Sequence, residues 1–224
     1  MIIKLSVALA AMLAASPALA LTPAEAATRF VDSLAELEQA ALYAFDAPDR
    51  KQVRLNPGAR AGLILGLMDP PTRAAADQLF ASVLSKKGLR LVDAVRGRER
   101  ELGRVEKRPD HRDPDGYAVA IFGTPGKEQW AIRLEGHHLS INLTLDGDRI
   151  VSVMPLLIGA DPREGGAGDP LLPFLQSAQS PDTLAPNLAA LFRPGSVIPE
   201  PDELDIDLVN LSGSGHPHLA VTTK

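Results

Sequence analysis

The chain has no cysteine among its 224 residues. That absence excludes a thiolate nucleophile, an all-cysteine metal site, disulfide bracing and lipid attachment through an N-terminal cysteine. Aromatic residues are scarce, at 4% with a single Trp, so the core has to be built from Leu, Val, Ile and Ala. Basic residues are in the minority, 23 Lys and Arg against 28 Asp and Glu, for a formal charge of −5. Such a surface repels phosphates and argues against a nucleic-acid partner. Long apolar runs are missing too: the stretch from Leu5 to Ala15 is about half of the roughly 20 residues a spanning helix needs. No Gly-x-Ser-x-Gly elbow, phosphate-cradling glycine loop or His-Glu-x-x-His helix is present.

What is present begins with an export signal. Lys4 precedes the apolar stretch, and Ala18-Leu19-Ala20 is a small-x-small cleavage site. Cleavage after Ala20 makes residues 1–20 a signal peptide and the product periplasmic or secreted, with no membrane contact afterwards. The remaining 204 residues, 22 basic and 28 acidic, suit one domain. Thr22-Pro23-Ala24-Glu25 then forms a capping box. Ala27, Phe30, Val31, Leu34, Leu37 and Ala41 follow at helical spacing. Residues 45–62 read as loop. Asp69-Pro70 opens a second helix bearing Ala76, Leu79, Phe80, Val83 and Leu84, with Gly88 just past its end. A third helix carries Leu91, Val92, Val95, Glu99 and Leu102, and its interleaved Arg and Glu residues read as a solvated face.

From Tyr117 the apolar period changes to two. Residues 117–122, 129–135, 138–145 and 149–155 read as four strands joined by short loops. With Gly136 and His137 in the turn, Glu135 faces His138, Arg133 faces Ser140 and Ala131 faces Asn142. Pairing Phe122 with Gln129, and Ser152 with Asn142, sorts the strands into one apolar and one polar face. The predicted fold is α+β, with N-terminal helices packed on one face of an antiparallel four-stranded meander. Short helices with Pro173 and Pro186 follow. The predicted single domain spans 21–192, and 193–224 reads as a Pro/Gly/Asp-rich tail.

The polar face gathers Arg133, Glu135, His138, Ser140 and Asn142 above the small side chains of Ala118, Ala120 and Ala131. An antiparallel sheet ordinarily turns one face to water, and that reading competes with a site. As a binding domain, the protein takes a small polar or acidic ligand through Arg133 and His138, with His137, Ser140 and Asn142 beside them. The alternative is a hydrolase with His138 as acid–base group and Glu135 orienting it, with or without a metal. Glu135 and His138 supply two metal ligands, and His111, His216 or His218 would have to complete the set. His216-Pro217-His218 reads as a polar loop, so no residue is assigned as a metal ligand and the cofactor is left undefined. Ser140 lies about 7 Å along the strand from His138, out of reach for nucleophile activation.

The central run carries Arg112-Asp113-Pro114, Tyr117, Ile121-Phe122-Gly123, Pro125, Trp130, Glu135-Gly136-His137-His138-Leu139-Ser140, Asn142 and Gly159-Ala160-Asp161-Pro162. In this it resembles the family called domain of unknown function 3500, over roughly residues 25–195. Trp130-Ala131-Ile132 stands where the family has Trp-Gly-Trp, and only a faint echo of its His-x-His segment remains at 215–221. The resemblance implies an exported domain and brings no reaction with it.

Overall fold

The computed structural model describes residues 20–54, 58–209 and 215–224, apart from the side chains of 36–38. The expected export signal, Ala20 excepted, lies outside the described residues. Helix α1 (Pro23–Ser33) starts with the expected box: Glu25 N–H donates to Thr22 Oγ1, and Thr22 N–H donates to Glu25 Oε2 at 2.9 Å. It is shorter than the apolar spacing suggested, because the chain turns extended at Leu34 before a tighter turn over Glu36–Ala41. Strands β1 (Leu42–Tyr43) and β2 (Leu63–Ile64) flank a largely irregular segment. Helix α2 (Pro70–Val83) is capped by Asp69 and α3 (Lys86–Val105) by Ser85. Gly88 lies inside the first turn of α3 rather than after α2, because the Ser85 hydroxyl accepts its N–H and starts a new helix there; a Cβ at Gly88 would stand 2.1 Å from the Leu191 carbonyl oxygen.

Seven more strands follow: β3 (Ala118–Phe122), β4 (Gln129–Gly136), β5 (Leu139–Asp146), β6 (Arg149–Ser152), β7 (Leu156–Gly159), β8 (Leu204–Val209) and β9 (His218–Thr223). Helices α4 (Leu171–Ser177) and α5 (Pro181–Ala189) sit between β7 and β8. The fold is mixed α and β, around one large, mostly antiparallel sheet ordered β1-β3-β4-β5-β7-β9-β8, with β2 on β3 and β6 on β5. The sheet has nine strands, so the four-stranded meander is too small. Residues expected to trail away instead join the sheet edge. Leu204, Ile206 and Leu208 alternate along β8, Leu219 and Val221 along β9, and β9 pairs with β7.

The registers are corrected as well. Glu135 pairs with Ser140, Arg133 with Asn142, and Phe122 with Ala131, each partner two residues further along than expected. Ser152 meets Thr144 beyond a bulge, rather than Asn142. A slip of two keeps every side chain on its face, so the polar and apolar sets survive. On the apolar face, Trp130, Ile132, Leu134, Ile141, Leu143 and Leu145 share one core cluster with Phe30 of α1, Leu79 of α2 and Val95 of α3. On the other face Ala120, Phe122 and Ala131 are covered by Tyr43, Phe45 and Ala47. The alanines at 120 and 131 therefore make room for Tyr43, Phe45 and Ala47 of the protein's own chain.

Candidate functional site

The polar sheet face is closed around Arg133, Glu135, Ser140 and Asn142. Arg133 and Glu135 are each 1% exposed, and Ser140 and Asn142 are buried. Glu135 lies 3.3 Å from Arg60 Nε and 3.4 Å from Arg133 Nε, and it accepts the Arg54 N–H at 3.2 Å. Arg133 donates to the carbonyls of Asp49 and Ala61, while Asn142 donates to Ser140 Oγ and the Pro155 carbonyl. These contacts satisfy charge inside the fold and leave a ligand no approach to Arg133. The expected Glu135–His138 couple is not formed. The turn consists of His137 and His138, so Glu135 faces Ser140 across the ladder and turns to Arg60 and Arg133.

His138 goes elsewhere. It takes a left-handed backbone conformation, φ 58°, which places its ring at the end of the sheet. Strand β7 lies beside it, since the Gly159 N–H donates to the His138 carbonyl at 2.8 Å. Strand β9 comes next, with Gly159 opposite His218. A Cβ on Gly159 would stand 2.9 Å from the His218 ring and 3.2 Å from His138. Glycine on the middle strand is what lets imidazoles from both neighbours close over it. His216, two residues before His218 and so on the same side of an extended chain, completes the group. Ring centroids lie 4.8 Å apart for His138–His218, 5.0 Å for His138–His216 and 4.7 Å for His216–His218. One nitrogen from each of the three comes within 4.8 Å of the others. Asp161, just past β7, sits with Oδ2 3.5 Å from His216 Nδ1, and with His137 and His138 it forms a second such group.

The outer contacts orient this group. His137 stacks on His138 with centroids 3.8 Å apart. Its Nδ1 donates to Glu99 Oε1 of α3 at 2.6 Å, and its carbonyl accepts the Tyr117 hydroxyl at 2.9 Å. A Cβ at Gly136 would collide with the Tyr117 ring at 2.3 Å, so the turn is seated on that ring. Arg112, bound through two nitrogens to Glu106, places Nη1 3.3 Å from His137 Nδ1. Burial, together with the neighbouring His137, His218 and His216, pushes the His138 pKa down to about 2. Burial and His216 lower that of His218 as well. Three imidazole nitrogens this close to one another form a group that could hold a metal ion. The carboxylates of Glu99 and Asp161 on His137 and His216 have the form of the outer partners that fix ring orientation at metal sites.

Of the residues singled out in the sequence, His137 and His138 belong to this cluster, and so do His216 and His218, which were weighed as completing metal ligands and set aside as a polar loop. Arg133, Glu135, Ser140 and Asn142 build the buried polar layer instead, and His111 lines a small cavity beside His137. Asp161 and Glu99 were missed as site members. The available signal for the histidines was the His-x-His spacing, which puts two rings on one side of a strand but reads as a polar loop unless β9 is recognised.

No curated protein and no solved structure matches the chain. The profile of a family described as proteins of unknown function, DUF3500, matches residues 19–189, most of the chain. By that match, the chain belongs to the DUF3500 family.

Proposed function

We propose that this protein binds a divalent transition metal of the zinc type through His138, His216 and His218, and that it does so after export. One observation carries the reading: three imidazoles from distant parts of the chain present nitrogens within 4.8 Å of one another. Zinc at about 2.0–2.1 Å from each nitrogen would need them roughly 3.3 Å apart, which small side-chain rotations supply. The chain offers no thiolate, and an all-imidazole set with nearby carboxylate suits zinc, copper or nickel better than magnesium or calcium. Three histidines leave a fourth position for water, substrate or Asp161. Two of the ligands lie beyond the span matched by the family profile, so the site combines the family core with the C-terminal strand pair.

Export is supported by Lys4, the short apolar stretch and Ala18-Leu19-Ala20. The capping box of α1 starts at Thr22, so cleavage after Ala20 would leave it whole. Among the described residues no helix is long and apolar enough to cross a membrane. Hydrolysis by Glu135 and His138 has no support in their separate surroundings; water activation at a bound ion is the chemistry the histidine cluster offers.

Equilibrium dialysis of tag-free protein against zinc tests the reading. We expect one ion per chain, lost in His138→Ala and in His218→Ala while both variants remain folded by circular dichroism. Unchanged zinc uptake in both variants would refute it.

A further inference from the structure

Tyr43, Phe45 and Ala47 cover the polar sheet face only in part. At the far end of that face, where Gln129, Thr144 and Ser152 stand, a cavity of about 440 Å³ remains. It is within the size range of small-molecule sites. Two cations from the turn Pro48–Lys51 border it, Arg50 and Lys51. Neither has a carboxylate partner among the described residues, and no carboxylate lines the cavity. That is unexpected for a chain with 28 acidic side chains and a net charge of −5. Four other cavities each carry acids: Glu101 in one, Asp110 in another, Glu99 in a third and Glu203 in a fourth.

The Arg50 guanidinium is also held in place. It stacks on the Phe45 ring at 4.1 Å from the centroid and donates to Thr144 Oγ1 at 3.3 Å. Stacking and one hydrogen bond fix the plane of the fork and leave further N–H groups for an incoming oxyanion. The hydroxyls of Ser152, Thr222 and Thr223 add donors around the rim, while Phe45, Met154 and Pro155 make the remaining wall apolar. Cations, hydroxyls and an apolar wall in one cavity select a charged head joined to a hydrocarbon body. The group lies apart from the histidine cluster, and its contacts involve none of the metal-binding side chains.

We infer that this cavity is a second ligand site, one that takes a small organic carboxylate with its head on Arg50 and Lys51 and its apolar body on Phe45, Met154 and Pro155. The carboxylate meets the guanidinium through charge-assisted hydrogen bonds, and the apolar portion gains by leaving water.

Calorimetric titration of the full chain with hexanoate, acetate and hexanamide separates head from body. Hexanoate should bind saturably, acetate at least about tenfold more weakly, and hexanamide not measurably, because charged hydrogen bonds contribute about that factor or more. Arg50→Gln and Lys51→Gln should each weaken hexanoate by about tenfold, and Lys51 is exposed, so its variant has no core to disturb. His138→Ala should leave hexanoate binding intact even where zinc is lost, which keeps the two sites distinguishable. The inference is overturned by no saturable hexanoate binding up to roughly 10 mM. Equal binding of acetate or hexanamide, or full affinity in both cation variants, would overturn it as well.

Discussion

His138 occupies a backbone region where an L-residue other than glycine costs about 1 kcal/mol or more, and its φ is 58°. A glycine would sit there without that cost. If the imidazole serves as a ligand, His138→Gly should leave metal-free stability within about 1 kcal/mol of the parent, while zinc no longer raises the melting temperature. Urea unfolding in chelator and in zinc reads both quantities, and a loss above about 3 kcal/mol in chelator would assign the ring to packing instead. Glu135 predicts the opposite pattern. Glu135→Gln strands the buried Arg60 and Arg133 charges and should cost about 3–5 kcal/mol, with zinc affinity in the folded protein unchanged. Zinc loss on that substitution would restore a link between Glu135 and His138. At this scale the sequence was half readable. Alternation identified Arg133, Glu135, Ser140 and Asn142 as one set, yet their burial depends on an irregular segment without periodicity of its own.

Among elements, the hairpins show why pattern outruns register. Hydrophobic alternation repeats every two residues, so pairing Glu135 with His138 or with Ser140 separates polar from apolar equally well. What decides between them is the turn, where His138 accepts a positive φ that the sequence pattern alone assigns more readily to Gly136. Helix α1's capping box and the cap at Asp69 are local signals and legible in the sequence, whereas the cap at Ser85 was not read, the second helix being carried past it toward Gly88. Between α2 and α3 another contact sets an acid limit. Asp115 lies between Arg73 and Arg96. Burial opposes its ionisation, but the two guanidinium groups outweigh that and hold its pKa below the usual carboxylate value. A carboxyl with a lowered folded pKa stabilises fully above its unfolded value and loses that contribution as pH falls through the folded one. Asp115→Asn should therefore lower the melting temperature at pH 7 and flatten its decline below about pH 4. Parallel acid declines in parent and variant would remove Asp115 from the account.

For the whole molecule, the decisive event is the return of the chain end to the sheet. Residues 193–224 read as a tail because β8 and β9 join the sheet only through the pairing of β9 with β7, far away in sequence. Only that pairing carries His216 and His218 to the turn at His138, so the sequence shows the polar face and offers these histidines as candidates without the strand that seats them. The three imidazoles gather at one end of the sheet, and the cavity bordered by Arg50 and Lys51 is lined by none of them. The most direct test of the central claim is X-ray absorption at the zinc edge of tag-free, zinc-loaded protein. The account predicts three imidazole nitrogens at about 2.0–2.1 Å with one or two oxygens completing the shell. A shell of oxygens with at most one imidazole would contradict it.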